Sequence, residues 1–117
     1  MRAIDDESAS LAVRARSYLH SNCSGCHRPG AGGGSIDLRV QTNLPDSQLC
    51  EQSPSDGDLG IINAKIVALG DSNRSVLVAR MQTLNNDNRM PPMASTVVDE
   101  QAVAVISQWI NNLTDCE

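Results

Sequence analysis

The sequence predicts an all-α domain, and three observations favour that class. Apolar residues recur at helical spacing near both ends of the chain. A shorter helical pattern lies between them, and long loops connect the three. The chain has 117 residues with no internal repeat and no visible domain boundary, so we expect residues 1–117 to form a single domain.

The first helix is predicted from Asp5 to Ser21. Its acidic start suits the positive end of a helix dipole. Apolar side chains then recur at steps of three and four, namely Leu11, Ala12, Ala15, Tyr18 and Leu19. This spacing predicts one apolar face along the helix.

The central segment is predicted to be mostly loop. Gly30 to Gly34 is too rich in glycine for regular structure, and Pro45 and Pro54 interrupt the residues after it. The apolar run from Ile61 to Leu69 is either a strand or an irregular turn, because periodicity does not separate the two. Loops this long are unusual in a small domain unless they wrap a bound object.

Two further helices are predicted after this segment. Asp71 or Ser72 is a suitable N-cap for a helix that runs to about Leu84. A polar loop with two prolines follows, and Asp99 and Glu100 then begin the last helix. The apolar face of that helix consists of Val103, Ile106, Ile110 and Leu113, with Trp109 beside it.

The aromatic content is unusually low. The chain contains one Trp (Trp109), one Tyr (Tyr18) and no Phe, although 40% of its residues are apolar. Aromatic rings supply much of the buried area in small cores, and a domain of this size buries a limited share of its surface. We therefore expect either a marginal fold or a body outside the polypeptide that fills part of the core.

The composition also excludes several partners. No stretch approaches 18 apolar residues, so the chain should not span a membrane. Nine Lys and Arg against fourteen Asp and Glu give a net charge of −5, without a polybasic stripe for nucleic acid. A protein partner with a basic docking patch remains compatible with this charge.

One motif points to specific chemistry. Cys23-Ser24-Gly25-Cys26-His27 is a C-x-x-C-H sequence, which is typical of covalent attachment of c-type haem. Two thiols add across the two vinyl groups of the porphyrin, and the adjacent His27 is placed to ligate the iron. We therefore predict one haem c, bound through Cys23 and Cys26.

The cysteines also allow three other interpretations. A thioredoxin-like redox pair needs a βαβ context that this chain lacks. His20, Cys23, Cys26 and His27 could form a zinc site, although structural zinc usually draws on two separated ligand pairs. All four cysteines could instead form a disulfide framework.

The second axial ligand is predicted in the loop before the last helix. Methionine is the usual sixth ligand of haem in electron carriers. Met90 and Met93 flank two prolines that would stiffen this loop, which is a poor place for core residues. We prefer Met90, with Met93 as the alternative, and so assign the iron to His27 and Met90.

The pattern resembles the class I c-type cytochromes. The resemblance rests on the first helix, the C-x-x-C-H motif, Met90-Pro91-Pro92, and Asp99-Glu100 opening the last helix. It is closest to the small bacterial monohaem cytochromes and to the cytochrome c domains of some bacterial dehydrogenases. The central segment, from about residue 32 to residue 69, departs from that pattern because it is longer and carries Cys50.

The resemblance implies a small cytochrome c fold, in which the N- and C-terminal helices pack together around one covalent haem and a long central loop wraps it. Tyr18 and Leu19 would then meet Ile106 and Trp109. It also implies a one-electron carrier rather than an enzyme, monomeric, with redox partner proteins such as a dehydrogenase or an oxidase. The alternative is a haem enzyme or a sensor of gas or peroxide with a labile Met ligand.

The remaining features concern location and the polar residues outside the motif. Haem attachment in bacteria takes place outside the cytoplasm, so we expect a periplasmic protein, although residues 1–10 contain no signal peptide. Disulfides persist there, and Cys50 could bridge to Cys116; the alternatives are two free thiols or an intermolecular bond.

His20 could be an alternative ligand or a surface residue, and Arg74, Arg80 or Arg89 could pair with a haem propionate.

Overall fold

The computed structural model describes residues 2–32, 34–54, 57–83 and 98–116. Within these ranges the α-helices are α1 (Leu11–Cys23), α2 (Val76–Gln82) and α3 (Glu100–Asn111). The same ranges contain no β-strand, only two isolated parallel bridges. The predicted all-α class is confirmed.

Helix α1 begins later than predicted. Ser10, not an acidic residue near Asp5, is its N-cap, and the Ser10 hydroxyl accepts the N–H of Val13 at 3.2 Å. Upstream, the carboxylate of Asp6 accepts the backbone N–H of Ser8 at 3.1 Å. Such local bonds from an aspartate compete with helix formation, so the acidic segment forms turns instead. At its other end the helix continues past Ser21 to Cys23.

The predicted helix after Asp71 is divided in two. Asp71 does cap a turn, because its side chain accepts the N–H of Asn73, but only a 3₁₀ turn over Ser72–Arg74 follows. Ser75 is extended, and α2 begins after it. The Ser75 hydroxyl is buried and bonded on both sides, donating to the Asp71 carbonyl and accepting from the Ala68 N–H, each at 2.9 Å. These bonds hold Ser75 out of the helix.

Helix α3 forms as predicted. The Asp99 carboxylate accepts the N–H of Ala102 at 3.0 Å and so caps its N-terminus. The predicted apolar face is buried, with Ile106 and Ile110 fully covered and Trp109 only 5% exposed. Leu113 lies just beyond the helix end, where it packs against the core.

The first and last helices pack against each other, as predicted. Ala15 and Leu19 of α1 are fully buried in the same core cluster as Ala102 and Ile106 of α3. Tyr18 is partly buried against that cluster. We refer to α1 and α3 together as the helical frame. Helix α2 packs on α3 as well.

The central segment, residues 24–71, folds without an α-helix in its described part. A 3₁₀ turn spans Leu44–Ser47, and the run from Ile61 to Leu69 forms single bridges rather than a strand. Around the bridge of Cys50 to Val67, the Val67 N–H donates to the Leu49 carbonyl at 3.1 Å. The segment contributes several buried aliphatic side chains to the core, namely Leu38, Leu44, Leu49 and Val67.

A disulfide joins the central segment to the C-terminal end. Cys50 and Cys116 are bonded, with their Cα atoms 5.7 Å apart and a sequence separation of 66. This confirms the intramolecular bridge among the alternatives for these two cysteines. In the chain-entropy model, closing a loop of this length contributes about 4 kcal/mol.

Candidate functional site

The C-x-x-C-H motif lies where α1 ends. Cys23 is the last residue of the helix, and its carbonyl accepts the N–H groups of Cys26 at 3.2 Å and His27 at 2.9 Å. The motif therefore forms a closed turn on the C-terminal end of α1. Cys23 and His27 are half-buried, whereas Cys26 is exposed.

The two motif cysteines are free thiols, whereas the other two cysteines are bonded to each other. Burial raises the pKa of Cys23 to about 11, and the nearby Cys26 contributes in the same direction. Neither motif thiol is therefore committed to a disulfide.

The donor set fits covalent haem in its chemistry. Haem attachment requires two thiols two residues apart, with an imidazole next to the second, and Cys23, Cys26 and His27 supply these groups. The iron would need only one or two protein ligands, because the porphyrin provides the other four. The second predicted ligand, Met90, and its alternative Met93 lie outside the described residues.

Two alternative interpretations of the motif lose support. A thioredoxin-like redox pair needs a βαβ context, and the described part of the chain contains no β-strand. A zinc site needs several ligands close together, and no group of three or more His, Cys, Asp or Glu side chains that could hold a metal occurs in the described part of the chain. His20 is engaged elsewhere, since its Nδ1 accepts the Val40 N–H at 2.9 Å.

A short segment after the glycine-rich stretch turns back onto α1. We call residues 37–42 the clasp. Its Leu38 N–H donates to the carbonyl of His27 at 2.8 Å, and its Val40 N–H donates to His20. The clasp therefore contacts both the helix and the predicted iron ligand. The clasp was not predicted from sequence, because the local pattern of Asp37 and Arg39 around the apolar Leu38 indicates no contact with α1.

The arginines that could pair with a haem propionate differ in their surroundings. Arg74 already donates to the Asp71 carboxylate at 3.0 Å and to the Asn63 carbonyl at 2.9 Å. Its guanidinium is therefore committed to its own neighbourhood. Arg89 lies outside the described residues.

Comparison with protein-family models, curated proteins and solved structures finds no match to this chain. No described helix is long and apolar enough to cross a membrane. The functional assignment therefore rests on the motif and on the geometry around it.

Proposed function

We propose that this chain is a one-electron carrier of the class I c-type cytochrome kind, with one haem bound covalently through Cys23 and Cys26. One observation carries the proposal. Of the four cysteines, the two outside the motif are joined in a disulfide, and the two inside it remain free beside His27. A general disulfide framework would have no reason to leave that particular pair reduced.

The protein's part in the chemistry would be to supply the residues that bind the iron. When bound, the haem supplies an iron that changes between the ferric and ferrous states. His27 and Met90 would be the residues that bind the iron, and a methionine ligand raises the reduction potential. If both residues stay bound in either redox state, little rearrangement should accompany electron transfer.

The proposed location is the periplasm, and the proposed partners are redox proteins such as a dehydrogenase or an oxidase. The Cys50–Cys116 disulfide supports an oxidising compartment, because such bonds seldom persist in the cytosol. The net charge of −5 favours a partner with a basic docking patch. Electron transfer to such a partner should then slow as the salt concentration rises.

The test is a comparison of two double variants, matured with the bacterial haem-attachment machinery. Cys23→Ser/Cys26→Ser should lose covalent haem completely, as seen by intact mass after denaturation. Cys50→Ser/Cys116→Ser removes the same number of cysteines and should keep haem attached. A wild-type protein without attached haem would overturn the proposal.

The absorption spectrum tests the ligands separately. The reduced protein should show a sharp c-type α band, and the ferric protein should show the weak charge-transfer band of a methionine sulfur bound to iron. Met90→Ala should abolish that weak band, whereas Met93→Ala should keep it. A high-spin ferric wild type would instead favour the enzyme or sensor alternative.

A further inference from the structure

The clasp is attached to α1 by an unusual polar cluster. The Arg16 guanidinium reaches from the helix and donates through Nη2 to the carbonyls of Arg39, at 3.2 Å, and Thr42. One turn further along the helix, His20 accepts the Val40 N–H. At the motif end, Leu38 donates to the His27 carbonyl. The clasp thus follows α1 from Arg16 to the motif.

Asp37 holds the clasp together from inside. Its carboxylate, of which 11% is exposed, accepts Arg39 Nε at 2.9 Å, Arg39 Nη2 at 2.8 Å and the Thr42 hydroxyl at 2.8 Å. The Arg39 side chain is the main cause of a strongly lowered pKa of Asp37, which keeps the carboxylate charged. The Asp37 N–H also donates to the Ser47 carbonyl at 2.9 Å. Asp37 therefore ties the clasp to the rest of the central segment.

Stability alone does not explain this cluster. Arg16 is half-buried, and this burial lowers the pKa of its guanidinium, although the charge of Asp37 acts in the opposite direction. Its Nε atom is buried and has no hydrogen-bond partner. Buried charges and unpaired N–H groups destabilise a fold, and apolar residues in such places are often neutral or better. A group held at such a cost is a candidate for a role in function.

We propose that Arg16 and Asp37 are positioning residues for His27, acting through the clasp. Leu38, which is 2% exposed, is the link, because its N–H fixes the carbonyl of the residue whose imidazole would ligate iron. This inference rests on the proposed function, since it concerns the orientation of the predicted haem ligand. The two residues need not touch the cofactor.

Arg16→Lys is the first test, because lysine keeps the charge but lacks the guanidinium fork. Arg74→Lys is the matched control, since Arg74 also bonds a carbonyl and its neighbourhood lies elsewhere. In the haem-bearing protein, Arg16→Lys should speed amide exchange at Leu38 about tenfold, as expected for the loss of one such bond. It should also change the ferric electron paramagnetic resonance g values and the reduction potential. Arg74→Lys should leave all three as in the wild type.

Thr42→Val provides a second, milder variant. It removes one donor to Asp37 with almost no change of shape, and it decides the question if Arg16→Lys does not mature. We expect the same changes in smaller size. Unchanged g values and potential in these variants would overturn the positioning role, even if Leu38 exchanged faster, because the clasp would then be merely structural. Haem attached to the wild type keeps that outcome separate from a failure of the proposed function.

Discussion

The helical frame and the central segment hold their buried residues in different ways. In the frame, Leu19 and Ile106 are fully buried by regular helix periodicity, and each helix is closed by a side-chain cap. In the central segment, Leu38 and Val67 are just as well buried, but single backbone bonds, a disulfide and the charged Asp37 hold them there. The frame is thus held mainly by the packing of apolar side chains. The segment also depends on individual hydrogen bonds and on a disulfide.

This difference separates the conditions to which each region responds. Apolar packing is insensitive to pH and to redox conditions, whereas a buried carboxylate responds to pH and a disulfide responds to reductant. The predicted haem site lies between the two regions, because Cys23 ends α1 and His27 is bonded to the clasp. A change of pH or of redox conditions should therefore affect the site through the central segment, whereas a loss of apolar packing should affect it through the helical frame.

The largest expected effect is that of withholding haem. Because the chain has one Trp, one Tyr and no Phe, we expect the haem-free chain to be largely unfolded, with little helical circular dichroism and no slow amide exchange. Both regions should be affected together. The control is the haem-bearing protein made from the same gene.

Alkylation of the haem-free chain tests whether that chain is unfolded. In an unfolded chain, Cys23 and Cys26 should react at similar rates. If the fold persists without haem, the exposed Cys26 should react first, because the pKa of the buried Cys23 thiol is raised to about 11 and the thiolate is the reactive form. That order of reaction would contradict the prediction.

Loss of the disulfide should have the next largest effect on stability, and it should mainly affect the central segment. Cys50→Ser/Cys116→Ser is expected to lose about 4 kcal/mol of unfolding free energy, measured with denaturant on the haem-bearing protein. The wild type with reductant should behave in the same way. A loss below about 1 kcal/mol would mean that contacts such as the Gly70 N–H to the Ile110 carbonyl, at 3.1 Å, hold this junction unaided.

Truncation in the frame should cost somewhat less. Ile106→Ala removes a fully buried side chain and should cost about 3 kcal/mol, because it leaves a cavity between the helices. Ile62→Ala is the matched control, since Ile62 is 82% exposed and should change the unfolding free energy little. Similar losses for the two variants would show that Ile106 does not belong to the core.

The smallest effect should be the acid sensitivity of the clasp. The pKa of Asp37 is lowered in the folded protein, so its contribution to stability is complete above the unfolded pKa of about 4 and is lost as the pH falls below it. Asp37→Asn should therefore reduce the loss of stability between about pH 7 and about pH 3. Asp46→Asn, which removes an exposed carboxylate, is the control. If both variants lost stability equally steeply as the pH falls, Asp37 would not be the cause of the acid sensitivity.

Much of the frame was predictable from local chemistry. Asp99 and Glu100 indicated the start of α3, and the spacing of Ile106 and Ile110 marked its buried face, because a helix repeats its faces at a fixed period. The start of α1 was not predictable in the same way. The Asp6 carboxylate bonds its own neighbour, and a competition of that kind is decided by geometry rather than by residue type.

The motif itself was also readable, since Cys23, Cys26 and His27 lie in one short stretch. The clasp was not. Arg16 and Thr42 are far apart in sequence, and no local pattern relates a helix residue to a loop carbonyl. The division of the cysteines into a bonded pair and a free pair was likewise one of several pairings until the fold brought Cys50 and Cys116 together.

By itself the sequence determined the all-α class and the helix at each end, and it contains the C-x-x-C-H motif on which the haem prediction rests, because each depends on residues within a few positions of one another. Only the tertiary structure decided which thiols are free, where the clasp lies and what holds the carbonyl of His27. These features depend on contacts between distant segments. Such contacts form only when the burial of the core brings those segments together.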